Sequence, residues 1–317
     1  MESSEPSMNP SVDIQEHRAV SAEALPADAP DAVEGTLDHE YNARLWAPDY
    51  AQTLAGFRER GTVVRRNPNA HLDLRWGQRE RQTVDLFLPP KTSGPLLVFL
   101  HGGYWQYRTS GKDGVSFLAP VFLERGCALA AIQYALCPEV DMDQMVEQVK
   151  EALIWVWRSL PSFGYQQTSS VVAGHSAGGH LAMTLAGTDW DRHGFTPQPI
   201  RAAFGLSGLY DLSPLMSTYL NRDLRIDASV AERNSPIGNV RPGMPEILLG
   251  VGALESPSFR KQTSDYGSAL RSMGVPVREW TMEGRGHFNV LDCLTNPSES
   301  MTQALLDVCV ASHGELS

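Results

Sequence analysis

The 317-residue sequence is short of cysteine and of positive charge, and it contains no long apolar run. Its four cysteines, Cys127, Cys137, Cys293 and Cys309, form no Cys-x-x-Cys pair. Two lie inside apolar segments, so buried thiols in a reducing compartment are expected rather than a disulfide framework. The 26 Lys and Arg against 37 Asp and Glu leave a net charge of -11. Neither nucleic acid nor an anionic membrane attracts such a chain, and the acidity reads as a solubility device. No stretch approaches the ~18 apolar residues that cross a bilayer. The opening segment, "MESSEPSMNPSVDIQEHRAV", lacks the basic and apolar regions of a secretory signal. A cytoplasmic location is the expectation. His-Glu-x-x-His is absent and no Gly-x-Gly-x-x-Gly follows the first strand, so no metal, dinucleotide or other cofactor is expected.

What is present is an ordinary globular composition, 42% hydrophobic and 20% charged, in a chain long enough to bury a core without staples. Residues 1–36 are rich in Ser, Pro, Ala and acidic groups and read as a disordered or loosely packed leader. The segment "LDHEYNARLWAPDYAQTLAGFRER" then shows near-helical spacing. From Thr83 the segments alternate. "TVDLFLP" reads as a half-buried strand, and "PLLVFL", "CALAAIQY", "SSVVAG", "IRAAFGLSG", "EILLGVG" and "VPVREWTM" as further strands. Between and after them "SFLAPVFLERG", "DQMVEQVKEALIWVWRSL", "AGGHLAMTLAG", "SFRKQTSDYGSALRSMG" and a last segment from Pro297 to Ser312 read as helices. Buried strands separated by helices predict an α/β fold, a mostly parallel sheet covered on both faces. Residues 37–317 are read as one domain, with a small cap inserted around 212–240 over the edge where such sheets bind ligands.

"VVAGHSAGGHL" holds a Gly-x-Ser-x-Gly match centred on Ser176. The pentapeptide is common by chance. Its setting, a buried strand pattern followed by a helix of small residues, is that of a nucleophile held at a sharp turn. The plainer reading, a Ser that only caps a helix, is outweighed by that setting. A serine needs a base to take its proton and a third group to orient the base. In this template the order is Ser, acid, His, which leaves His180, His193, His287 and His313. His287, in the Gly-punctuated "MEGRGHFNV" after the last strand, is the expected base. Glu255, in the loop after "EILLGVG", is the expected acid. Asp211 in "SGLYDLSP" is the runner-up, with a turn-forming role as its simpler explanation. "PLLVFL" runs directly into "HGGYWQ", matching the strand-end loop that supplies an oxyanion hole. Gly102 and Gly103, with the N–H of Ala177, are the expected donors. Tyr104 and Trp105 are expected at the pocket wall, with packing against the cap as the alternative.

These residues together resemble the arylformamidase, or kynurenine formamidase, family of the α/β-hydrolase superfamily. The similarity is carried by "HGGYWQ", "SGKDGVSFLAP", "DMDQMVEQVKEAL", "AGHSAGGHLAM", "TDWDRHG", "LSGLYDL", "RNSP" and "ESPSFRKQ", in order from about Val84 to Leu291. The resemblance implies a Ser176–His287–Glu255 triad and hydrolysis of N-formyl-L-kynurenine to kynurenine and formate, with Glu255 standing where the family usually has Asp. "IQYALCPE" is also similar to hormone-sensitive-lipase-like carboxylesterases, which usually carry a third Gly where this chain has Tyr104. The expected partner is therefore a small aryl amide or ester. A carboxylesterase, or an amide or carbamate hydrolase acting on small aryl substrates, is the alternative. A catalytically dead interaction module is disfavoured by the presence of all the chemical groups at once. A homodimer is compatible with these features, which do not determine the oligomeric state.

Overall fold

The computed structural model describes residues 32–310. Nearly all of the expected leader, and His313, lie outside the described residues. Two helices, α1 (Leu37–Glu40) and α2 (Tyr50–Arg65), open the described chain. They lead to strands β1 (Ala70–Arg75), β2 (Thr83–Phe87) and β3 (Ser93–Leu100). The alternation that follows runs α3 (Ala119–Glu124), β4 (Ala128–Ile132), α4 (Met142–Ser159), β5 (Gln166–His175), α5 (Ala177–Ala186) and β6 (Ile200–Leu206). After the short α6 (Asn221–Leu224) and α7 (Ala228–Asn234) come β7 (Glu246–Gly252), α8 (Pro257–Ser272), β8 (Val277–Met282) and α9 (Ser300–Val310).

The eight strands form one sheet in the order β1-β2-β4-β3-β5-β6-β7-β8. Pairing is antiparallel from β1 through β2 to β4 and parallel from β4 to β8, as a mostly parallel α/β sheet requires. Side chains alternate between two apolar layers. Leu96, Val98 and Leu100 of β3 join one layer with α4 and α5, while Leu97 and Phe99 join the other with α9. Both faces are thus covered, which is why these strands carry no polar alternation. An Asp141–Gln144 capping box starts α4, and its apolar stripe, including Met145, Val149 and Val156, lies in the first layer. β3 sits between β4 and β5, so the chain leaves it and β5 toward opposite edges of the sheet. That switch opens a crevice at the strands' C-terminal ends.

The structure corrects one expectation and adds two details. β2 is not half-buried: all five residues are buried, and Asp85 has no exposed surface. Its carboxylate is tolerated there because Lys112 Nζ lies 2.6 Å from Oδ1 and Arg65 bonds the other oxygen. β1, unforeseen, is a partly exposed edge strand with an irregular register between His71 and Leu74. The 212–240 segment forms short helical turns whose Leu215, Leu220, Leu224 and Ala231 pack into the same apolar layer as α4. Among the described residues no helix is long and apolar enough to cross a membrane.

Candidate active site

β5 runs buried to His175 and the chain turns abruptly at Ser176, which has φ 57° and ψ -123° before α5 begins. A non-Gly residue in that region is strained, and the turn exists only because its neighbours lack side chains. A Cβ on Gly174 would lie 2.1 Å from the Gly178 carbonyl oxygen, and one on Gly178 would lie 2.0 Å from that of Leu100. Ala177, the first residue of α5, has an N–H with no intrahelical acceptor. The helix N-terminus favours negative charge beside Ser176.

His287 arrives from the loop after β8. His287 Nε2 is 3.0 Å from Ser176 Oγ, and Nδ1 is 2.6 Å from Glu255 Oε2. Glu255, just past β7, has a fully buried side chain, and its second oxygen is also committed. Oε1 accepts from the Ser207 hydroxyl at 2.5 Å and from the Gly252 N–H at 2.7 Å. Ser207 follows β6 in the left-handed region (φ 51°), inside the "LSGLYDL" stretch, whose pattern does not announce this contact. The three residues Ser176, Glu255 and His287 therefore form one hydrogen-bonded chain. Asp211 does not join it; Oδ1 accepts the Ser213 N–H at 2.9 Å and closes a local turn. His175 holds the His287 backbone by donating Nε2–H to its carbonyl at 2.7 Å. Burial, with His287 beside it, holds the His175 pKa well below the ordinary value.

β3 delivers the facing loop. The His101 ring stacks on Tyr134 at 4.4 Å, with planes 6° apart, and the Tyr134 hydroxyl donates to the His101 carbonyl at 2.6 Å. Burial lowers the His101 pKa to about 3, so it stays a neutral spacer. Gly102 passes so close to the elbow that a Cβ would lie 3.1 Å from Ser176 Cβ. Gly103 (φ +115°), Tyr104 (φ 48°) and Trp105 (φ 57°) then take three successive positive φ values. The two aromatics part here. Tyr104 lines the cleft, its hydroxyl bonded to the Tyr41 carbonyl. Trp105 corrects the expectation of a pocket wall: it has no exposed surface and meets His180 edge to face at 5.0 Å. The left-handed turn carries it into the core, where it anchors the loop.

The rest of the cleft was not visible in the sequence. Its roof comes from residues 42–58, including Asn42, Arg44, Phe57 and Arg58, and Tyr219 alone represents the 212–240 segment. Tyr107, Phe288 and Leu291 complete the apolar side. The roof is pinned by hydrogen bonds: Asp38 accepts the Tyr219 N–H at 2.7 Å, and Glu40 accepts the Ser258 N–H at 3.0 Å.

With this geometry in hand, comparison with known proteins is decisive. A family model described as BD-FAE matches residues 84–253. Kynurenine formamidase of Danio rerio is 34% identical, over 85% of this chain and 94% of its own length. The Drosophila melanogaster kynurenine formamidase is 30% identical, over 69% of this chain and 75% of its own. The chain belongs to the kynurenine formamidase family. It is a hydrolase of the α/β-hydrolase fold. A candidate thioesterase from Silicibacter sp. TM1040 superimposes with a TM-score of 0.75 at 30% identity, covering 87% of this chain and 99% of that one. An esterase from Pyrobaculum calidifontis, at 17% identity and TM-score 0.65, covers 84% of this chain and 94% of its own and shares the fold. In this kynurenine formamidase family member the matched BD-FAE stretch contains the His101–Gly103 loop, the Ser176 elbow and Ser207, and ends just before Glu255.

Proposed function

We propose that the protein hydrolyses N-formyl-L-kynurenine to L-kynurenine and formate through a Ser176–His287–Glu255 triad. The observation that carries this reading is the unbroken hydrogen-bond chain from Ser176 Oγ to the buried Glu255 carboxylate. It opens into a cleft in a chain of this family. His287 Nε2 takes the Ser176 proton as Oγ bonds to the formyl carbon. The carbonyl oxygen, now negative, is met by the N–H groups of Gly102, Gly103 and Ala177, each such donor contributing ~2.7–4 kcal/mol to the transition state. The C–N bond then breaks and the arylamine nitrogen receives the proton from His287. Water gives a proton to the freed imidazole and attacks the formyl ester. The C–Oγ bond breaks, Ser176 regains its proton, and formate leaves. Glu255 accepts Nδ1–H throughout and so orients His287 and stabilises the imidazolium.

A formyl group needs almost no acyl pocket, whereas the aryl leaving group needs an apolar wall. Tyr104, Tyr107 and Phe288 supply that wall. The test is labelling of Ser176 by a fluorophosphonate, with and without N-formyl-L-kynurenine, alongside formate release. The reading expects labelling slowed by substrate and stoichiometric formate, both absent in Ser176→Ala. Labelling that ignores the substrate, with no formate released, contradicts it.

The alternative is an aryl esterase. Isoprenylcysteine alpha-carbonyl methylesterase of Arabidopsis thaliana is 24% identical over 74% of this chain and 60% of its own length. Tyr134, in the esterase-like "IQYALCPE" stretch, braces the oxyanion loop here. A formyl ester and a formamide place the same oxyanion, so only relative kinetics separate the two.

A further inference from the structure

Asn42 is polar where its neighbours are not. It stands between Tyr41 and Ala43, which are 2% and 5% exposed and belong to the apolar core, and is itself only 4% exposed. An apolar side chain of similar shape would fill that position without desolvating an amide. The Asn42 backbone is spent within the roof: its N–H donates to the His39 carbonyl at 3.3 Å, and its carbonyl accepts the Leu45 N–H at 2.9 Å. Asn42 lines the cleft, and among the described residues no hydrogen bond reaches its side-chain amide. Other polar groups of the wall do bond to the protein. Tyr104 donates to the Tyr41 carbonyl, Arg58 Nη2 donates to that of Thr109 at 2.6 Å, and the Tyr107 and Tyr219 hydroxyls meet at 3.5 Å. A buried amide without a partner is rare in folded proteins and calls for one from outside the chain.

The roof leans on the loop that carries His287. A Cβ on Gly286 would lie 3.7 Å from the Trp46 carbonyl oxygen, and the Tyr50 and Phe288 rings are 5.7 Å apart. Phe259 joins the Tyr41 ring, at 5.8 Å, to the His287 ring, at 4.4 Å. His287 hands its proton to the leaving group, so this is the leaving-group side of Ser176. Asn42 is held there because Tyr41 is fixed at both ends: its hydroxyl accepts Gln262 Nε2–H at 3.0 Å and its carbonyl accepts the Tyr104 hydroxyl. No Asp or Glu among the described residues lines the cleft to offset a cationic donor, which favours an oxygen acceptor opposite the Asn42 NH2. The N–H of a neutral amide suits a carbonyl oxygen, whereas a carboxylate is matched best by a charged donor.

We infer that Asn42 is a specificity-determining residue whose side-chain N–H donates to a carbonyl oxygen on the leaving group, so that aryl substrates bearing such an acceptor are selected over those without it. The inference deepens the formamidase reading, on which its choice of substrate rests, since N-formyl-L-kynurenine carries a ketone ortho to the formamide. The test compares kcat/KM within two pairs that differ by a carbonyl. The first pair is ortho-formamidoacetophenone and ortho-ethylformanilide. The second is ortho-acetylphenyl acetate and ortho-ethylphenyl acetate. Each is measured with wild type, with Asn42→Leu, which keeps the shape and neither polar atom, and with Asn42→Asp, which keeps acceptor oxygens and loses the donor. The acetyl group also makes the leaving group more acidic, so the quantity read is how the ratio within a pair changes from wild type to variant. That ratio is independent of how much of a variant folds.

Both variants are expected to lower the ratio of carbonyl-bearing to ethyl-bearing substrate by about tenfold, the worth of one hydrogen bond, with the loss falling on the carbonyl-bearing member. A ratio that Asn42→Leu leaves intact overturns the inference. So does a loss in Asn42→Leu that falls equally on both members, since that marks a purely structural role. A wild-type ratio in Asn42→Asp also overturns it, because the donor is then not what the substrate meets. If neither formamide turns over but the acetate ratio falls in both variants, carbonyl recognition stands and the formamide reading falls. Formamide turnover with ratios that neither variant moves has the opposite meaning.

Discussion

Glu255→Gln is the most informative single-atom change in the site. Oε1 faces two donors, the Ser207 hydroxyl and the Gly252 N–H. The Gly252 N–H can only donate, so the amide oxygen of Gln must take that position. The amide NH2 is then left facing His287 Nδ1, now 2.6 Å from Oε2. Two donors cannot share that contact. The imidazole must expose a bare Nδ1 and carry its proton on Nε2, where it can no longer accept one from Ser176. Imposing the wrong tautomer in a Ser-His-Asp triad lowers kcat about 10⁴-fold, or about 5 kcal/mol of barrier. Folding suffers little by comparison. Two hydrogen bonds fall from charge-assisted to neutral strength, about 1 kcal/mol each, and relief of carboxylate desolvation offsets part of that. The assay is kcat for formamide and aryl ester hydrolysis, the rate of fluorophosphonate labelling, and Tm. A kcat within tenfold of wild type, in a variant melting normally, refutes the role given to Glu255.

Ser207→Ala removes one of the two donors to Oε1 and leaves the carboxylate freer to rotate; kcat should fall roughly tenfold and stability by about 1.5–3 kcal/mol, the usual worth of a hydrogen bond to a charged group, as read by kinetics and urea titration. Trp105→Ala should cost about 3–5 kcal/mol of stability, as for other buried Trp truncations, while KM for aryl substrates in the protein that remains folded changes less than it does for Tyr107→Ala. The pH dependence follows from histidines that burial keeps neutral, with His101 lowered to about 3, His180 to about 4 and His175 well below its ordinary value. Below about pH 6.5 the unfolded chain binds protons that these rings refuse, so stability falls as pH drops from there, by up to about 1.4 kcal/mol per unit for each ring. Urea titrations between about pH 7 and pH 4.5 should show a shallower fall for His180→Gln than for wild type; equal slopes would contradict the assignment.

The alternation from Thr83 onward was legible because strands buried on both faces lose the polar alternation that would disguise them as surface segments. Gly174 and Gly178 were legible for a related reason, since close backbone contacts leave room for nothing else. The strand-end positions of Glu255 and His287 follow from the same order of elements. The edge strand β1 was not legible, because "AHLDLR" is short, half-exposed and, among the described residues, joined only to β2. Nor was the roof over residues 42–58. Its helical spacing reports α2, but nothing local reports that Asp38 and Glu40 dock it above the cleft on Tyr219 and Ser258, more than 180 residues away in the chain. Trp105 shows the same limit at one residue. Being next to Tyr104 suggests a shared face, and two consecutive left-handed residues send the two rings to different places.

The central claim is tested most directly by kcat/KM for N-formyl-L-kynurenine and p-nitrophenyl acetate, measured side by side with Ser176→Ala as the blank. The account predicts a formamide preference of a hundredfold or more, about 2.7 kcal/mol of differential transition-state binding, with both activities lost in the blank. An ester preference, or no formamide turnover while Ser176 still labels, would contradict it.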